Sequence, residues 1–168
     1  MIRKAGDEVI RRNEIHPMRQ ASLRDVGQLV SMMRGFYAEA GYALNLRRAA
    51  VSFTALLTDE RFGYVFLIQA GDQDVGYLVL TLAYSMEYGG LSATIEDLYV
   101  QRPFRGAGLA TAALNEARTF CARCGVRGMR VETGSGNEAA QAVYRRIGFA
   151  RTDRELLTLS LADPTHEV

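Results

Sequence analysis

Apolar residues recur along this chain with a helical period in some stretches and with alternation in others, and the sequence of the two patterns sets out a fold. Ser22 followed by Asp25 makes a capping-box start for a helix whose apolar positions Leu23, Val26, Val30, Met33, Tyr37 and Ala40 lead to a stop at Gly41. A second helix spans residues 47–58. Strands are predicted over 16–20, 64–69 and 75–83, the last two forming an antiparallel hairpin across Gly71-Asp72-Gln73-Asp74, and a third strand returns after Gly89-Gly90. The run 95–100 is β-branched and aromatic, and Pro103 ends it because its nitrogen has no proton to give a ladder. Ala110, Ala113, Leu114, Ala117, Phe120, Cys121 and Cys124 then trace a helix that stops at Gly125. A strand over 129–133, a helix over 138–147 closed by Gly148, and strands around 149–152 and 156–161 complete the order. This is an α/β chain with a mixed, mostly antiparallel sheet flanked by helices.

Composition narrows the class. With 168 residues, 48% apolar and 23% charged, the chain suits one soluble globular domain, expected over residues 15–168, behind a charged, aperiodic and mobile leader over 1–14. No apolar run approaches the roughly 20 residues of a membrane span, and the N-terminus has no signal-peptide core, so a cytoplasmic location and no membrane partner are expected. Cys121-x-x-Cys124 falls on the apolar stripe of its helix, and the two histidines, His16 and His166, lie at opposite ends of the chain, so core packing is favoured over a metal or redox site. A net charge of +1 gives no sign of nucleic-acid binding, but its distribution is uneven. Between residues 62 and 101 stand five acids (Asp72, Asp74, Glu87, Glu96, Asp97) and no lysine or arginine, whereas six arginines face Glu116 alone between 102 and 130. These are either ordinary solvated surfaces of opposite sign or a cationic acceptor's wall beside that of a polyanion.

The chemistry centres on the corner where the strand over 95–100 becomes a helix through Arg105-Gly106-Ala107-Gly108-Leu109-Ala110. A helix start carries unpartnered N–H groups and partial positive charge, so an anion such as phosphate is the natural guest. Gly106 and Gly108 would let the backbone approach it, and Arg105 could add a charge-assisted hydrogen bond. The same glycines could serve only to turn the chain. A P-loop is excluded, since Lys4 is the only lysine, and a dinucleotide fingerprint fits poorly because Thr111 follows Gly106-x-Gly108 at the third position.

The hexad from Arg105 to Ala110 resembles the Q/R-x-x-G-x-G/A signature of the GNAT superfamily of N-acetyltransferases. Downstream, Asn137-Glu-Ala-Ala-Gln-Ala-Val-Tyr144-Arg-Arg-Ile-Gly148-Phe149 resembles that family's second signature, N-x-x-A-x-x-x-Y-x-x-x-G-F. The resemblance is close over residues 75–149. It implies a GNAT-like fold, acetyl-CoA as cosubstrate with its pyrophosphate on the amides of Arg105, Gly106, Ala107, Gly108, Leu109 and Ala110, and no metal. It further implies a pantetheine arm held by the strand carrying Leu98, Tyr99 and Val100 and by Asn137, with Tyr144 as the acid that protonates the leaving thiolate.

An amine acceptor is protonated at neutral pH, at a cost of about 4 to 5 kcal/mol if nothing removes the proton, so a carboxylate must be near. Glu96 and Asp97 stand on the strand before the corner, and strict alternation would send them to opposite faces, Glu96 with Leu98 and Val100, Asp97 with Tyr99. Glu96 is favoured narrowly over Asp97, with Glu87 as a third candidate; edge-capping or salt-bridging acids would look the same. In the resembling family the region of Phe36, Tyr37 and Tyr42 lines the acceptor pocket, so Tyr37, Glu87 and Glu96 are expected acceptor contacts. The expected activity is acetyl transfer to a small cationic or peptide amine. A catalytically silent acyl-CoA sensor is the alternative, and a homodimer is left open.

Overall fold

The computed structural model describes residues 17–161; the leader over 1–14, His16 of the first predicted strand, and His166 lie outside the described residues. Five strands form one sheet in the order β1 (Met18–Gln20), β2 (Gly63–Ala70), β3 (Gln73–Ser85), β4 (Gly90–Val100) and β5 (Gly128–Val131). The first four pair antiparallel and β5 pairs parallel to β4, so the mixed α/β class is as expected.

Two helices cover one face. α1 (Val26–Ala40) follows a 3-10 turn in which Asp25 accepts from both the amide and the hydroxyl of Ser22, and it ends at Gly41 in the left-handed conformation. α2 (Leu46–Thr58) is capped by Asn45, whose side chain accepts from the Arg48 amide at 3.0 Å. Leu29 and Met32 of α1 and Phe53 of α2 bury against Val65, Leu67, Tyr77, Val79 and Tyr99. The opposite face carries α3 (Leu109–Arg123) and α4 (Glu138–Ile147). There Ala113, Leu114 and Ala117 of α3 and Tyr144 of α4 pack on Phe66, Ile68, Leu78, Leu80 and Ile95. Cys121 joins this second core, where burial pushes its thiol up to about 11 and keeps it protonated.

Two local irregularities mark β4. It pairs with β5 only from Ser92 opposite Gly128 to Ile95 opposite Val131, so beyond Ile95 the two parallel strands part. Within β4 itself, Val79 of β3 faces Asp97 while the next residue, Leu80, faces Ile95; Glu96 is therefore an extra residue, a β-bulge.

The chain after α4 departs from expectation. Residues 149–152 and 156–161 form no strand, and Leu157, Leu159 and Leu161 are 89%, 83% and 91% exposed. Alternation of apolar residues is necessary for a half-buried strand but needs a ladder to join; Phe149 still packs on the α3 and α4 core, and beyond it Arg154 donates to Glu87 at 2.7 Å. A tight spot inside the sheet offers a test of the register. A Cβ at Gly76 would collide with the Tyr99 backbone carbonyl across the β3–β4 ladder. Gly76→Ala is expected to lower unfolding free energy by about 1–3 kcal/mol in urea titration, since both elements are held by their own packing and neither can shift freely.

Candidate functional site

The bulge at Glu96 decides the site's geometry. Ile95 points into the α3 and α4 core, and alternation alone would return Asp97 to that same side. The extra residue resets the phase. Glu96 and Asp97 now face α1 and α2 together, whereas Leu98 and Val100 face α3 and α4. The expectation that the two acids occupy opposite faces, with Glu96 beside Leu98 and Val100, is thus corrected.

On the α1 and α2 side the pair borders a cavity of about 430 Å³. Thr81 donates to Glu96 at 2.6 Å, and the buried Tyr77 hydroxyl donates to Asp97 at 2.8 Å. Burial raises the Asp97 carboxyl above its ordinary value, and the neighbouring Glu96 adds to the rise while the Tyr77 hydrogen bond opposes it. Asp97 is therefore a stronger base than a free carboxylate. Tyr37 lines the same cavity, with its hydroxyl pushed up by burial and then by the charge of Asp97. Glu87 is elsewhere: it sits in the turn between β3 and β4, where Arg154 holds its carboxyl below the usual range, and it does not join the other two acids. Nor do the acids of residues 62–101 form one wall. Asp74 is bound to Arg19 at 2.6 Å, Glu87 to Arg154, and Asp72 is exposed in the turn between β2 and β3, which leaves Glu96 and Asp97 as the anionic focus of the cavity.

On the other face, the parting of β4 from β5 opens a groove of about 340 Å³. Leu98 and Val100 form one side, the corner at Gly106, Gly108, Leu109 and Ala110 its end, and Tyr144 of α4 the other side. Gly106 and Gly108 both have φ of +81°, a conformation that an L side chain enters only with strain, and a Cβ at either would meet no protein atom. The corner is held open at the start of α3, where the first amides have no partner within the helix. These residues fit an extended ligand carrying a phosphate at one end. Tyr144 is only 8% exposed and meets Phe149 edge to face at 5.7 Å. Burial, and after it the charge of Asp97, pushes its hydroxyl up to about 12. The charge of Asp97 on β4 is thus felt at the Tyr144 hydroxyl on α4.

The remaining expected residues are placed differently. Ala107 is exposed between the two glycines. The Asn137 side chain accepts from the Ala140 amide at 3.1 Å and so caps α4. Tyr99 turns to the α1 side, where its ring stacks on Phe36 at 5.5 Å and its hydroxyl donates to Glu39. Arg105 does not aim its guanidinium at the helix start; it donates to the Val100 carbonyl at 2.7 Å and to Glu39 at 2.7 Å, and lies over the Tyr99 ring. No sequence motif singles out Thr81 and Arg146, which border the cavity and the groove, or Tyr77 and Glu39, which hydrogen-bond to Asp97 and Arg105. A strand tyrosine among apolar neighbours needs a partner for its hydroxyl, and that requirement is the one signal pointing to Tyr77.

The fold and the family have counterparts among known proteins. The chain is 44% identical to an integron cassette protein whose structure comes from the mobile metagenome of Cole Harbour Salt Marsh, over 90% of this chain and 94% of that one, with a TM-score of 0.81. It shares its fold with a predicted acetyltransferase from Clostridium acetobutylicum solved with acetyl-CoA, at 20% identity over 86% of this chain and 95% of that one, TM-score 0.72. A stretch of 57 residues, 34% of this chain, is 35% identical to an uncharacterized N-acetyltransferase of Methanocaldococcus jannaschii, and it spans only 25% of that relative's length. The model of the acetyltransferase (GNAT) family matches residues 29–149, which takes in most of α1, the bulged strand, the glycine corner and α4. This chain belongs to the GNAT acetyltransferase family.

Proposed function

We propose that the protein transfers the acetyl group of acetyl-CoA to a primary amine, with Asp97 accepting the ammonium proton and Tyr144 supplying a proton to the sulfur as the C–S bond breaks and recovering one from the newly acylated nitrogen. The observation that carries this reading is the bulge at Glu96, which aims both acids at one cavity while the strand's next residues face the groove beneath Tyr144. Acetyl-CoA fits the groove, with the amides at the start of α3 for its pyrophosphate and with Leu98 and Val100 along its arm. An amine in the acid-lined cavity would meet the thioester where β4 and β5 part. Its attack needs a free lone pair, which Asp97 provides by taking the ammonium proton; Glu96, more exposed, attracts the cation. Tyr144 holds its proton throughout the neutral range, because burial pushes its hydroxyl up to about 12. Release of free thiol from acetyl-CoA in the presence of primary amines tests the whole reading. Tight acetyl-CoA binding with no thiol release from any amine would leave a sensor instead.

Asp97 makes a prediction with two readouts. Folding raises its proton affinity, so the folded state binds more protons than the unfolded one between the ordinary carboxylate value and the raised one, and stability falls as pH climbs through that window. Asp97→Asn keeps an acceptor for Tyr77. The variant is expected to exceed wild type in stability at pH 7, with the gap closing in acid, while kcat falls on the order of 10²-fold and the acid limb of the pH–rate profile disappears. Glu96→Gln, by contrast, should act chiefly through a raised KM for the amine. A wild-type pH profile in Asp97→Asn would remove it as the base.

For Tyr144, substitution by Phe keeps the contact with Phe149 and removes the hydroxyl alone. Acetyl-CoA affinity and melting temperature should stay near wild type while kcat drops on the order of 10²-fold. Because the hydroxyl titrates near about 12, the effect belongs in kcat at neutral pH and not in an alkaline limb within an ordinary assay range. An unchanged kcat would assign the proton to water.

A further inference from the structure

The cavity beneath α1 and α2 joins two kinds of surface. Its charged part is confined to Glu96 and Asp97, adjacent on β4, with the Tyr37 hydroxyl beside them. The rest is largely apolar: Met33 from α1, Phe53 and Leu56 from α2, and Val79 from β3. Among the described residues, its lining includes no arginine or lysine. Tyr37 extends the aromatic surface outward, meeting the exposed Tyr42 edge to face at 5.8 Å and Phe36 at 5.6 Å.

Each part selects. Two neighbouring carboxylates repel one another and are relieved by a single cation, which an adjacent aromatic ring also favours. A carboxylate next to the acceptor's amine would be driven against both acids with no basic group to receive it. A second ammonium farther along the acceptor would leave water for walls of Met, Phe, Leu and Val that offer it no counter-charge. Methylene groups or a ring at that place gain by the same burial.

We infer that the acceptor is a primary amine carried on an alkyl or arylalkyl body, with no carboxylate beside the amine and no second cation. This inference rests on the acetyl-transfer reading, and the experiment separates the two. Thiol release from acetyl-CoA is measured with the full chain for 2-phenylethylamine, 1,4-diaminobutane and phenylalanine, and the binding of each amine is measured by calorimetry. The expected kcat/KM for 2-phenylethylamine exceeds that for 1,4-diaminobutane by about tenfold or more and that for phenylalanine by about a hundredfold. A preference for 1,4-diaminobutane or for phenylalanine would overturn the inference while leaving acetyl transfer intact. Binding of 2-phenylethylamine without thiol release from any amine would overturn acetyl transfer and leave the cavity's selectivity standing; failure of 2-phenylethylamine to bind would overturn the inference. Ser52 supplies a converse test, because it borders the cavity from an exposed position of α2 where a glutamate can be accommodated by the helix. Ser52→Glu places a carboxylate by the apolar wall and is expected to move the preference about tenfold toward 1,4-diaminobutane. An unchanged ratio would show that this wall does not set the choice of acceptor.

Discussion

One inserted residue in one strand governs where both acids of the cavity and the apolar wall of the groove point. Side chains of a strand alternate, so a single extra position exchanges the faces of all the residues after it. Without the bulge at Glu96, Asp97 and Tyr99 would enter the α3 and α4 core and Leu98 and Val100 would face the acid cavity. With it, the apolar half of the strand faces the groove, the acids face the cavity, and the aromatic ring of Tyr99 packs against Phe36. The bulge stands beside the place where β4 loses β5, which a disturbed ladder tolerates better than the middle of a fully paired sheet.

A second interaction ties the two sides together. Glu39, at the end of the helix that walls the cavity, receives Arg105, Tyr99 and Arg102, and Arg105 in turn donates to the Val100 carbonyl. Its carboxyl is held below the usual range by Arg105 first and by Tyr99 and Arg102 after it. Both arginines are exposed, so the two ion pairs are worth little in stability. Their effect is geometric: the corner that opens α3 is anchored to α1 by a side chain that would otherwise have been free to meet a phosphate.

The outline of the fold was legible because it depends on local signals. The capping box at Ser22, the stops at Gly41, Gly125 and Gly148 and the apolar stripes of α1, α3 and α4 are written in short-range spacing, and each has its element in the structure. The candidate site was legible as far as its motifs reach, at Gly106, Gly108 and Tyr144, which the fold brings to one groove. The features that escaped reading depend on partners distant in sequence. A bulge at Glu96 can be seen only in the register against β3; the choice of Arg105 between an anion and Glu39 depends on a helix end 66 residues away. The leucines after residue 155 show the opposite failure, a strand pattern without a strand to pair with.

The arrangement gives β4 two halves of unequal permanence. From Ser92 to Ile95 the strand is laddered on both sides, by β3 and β5; from Asp97 to Val100 it is laddered by β3 alone. Backbone amides on the free side of that second half lack a strand partner, so what covers the groove contributes to their protection from solvent exchange. Native-state hydrogen exchange would therefore divide a single continuous strand at Glu96, with a slow segment belonging to the global unfolding unit and a faster one whose rate reports occupancy of the groove.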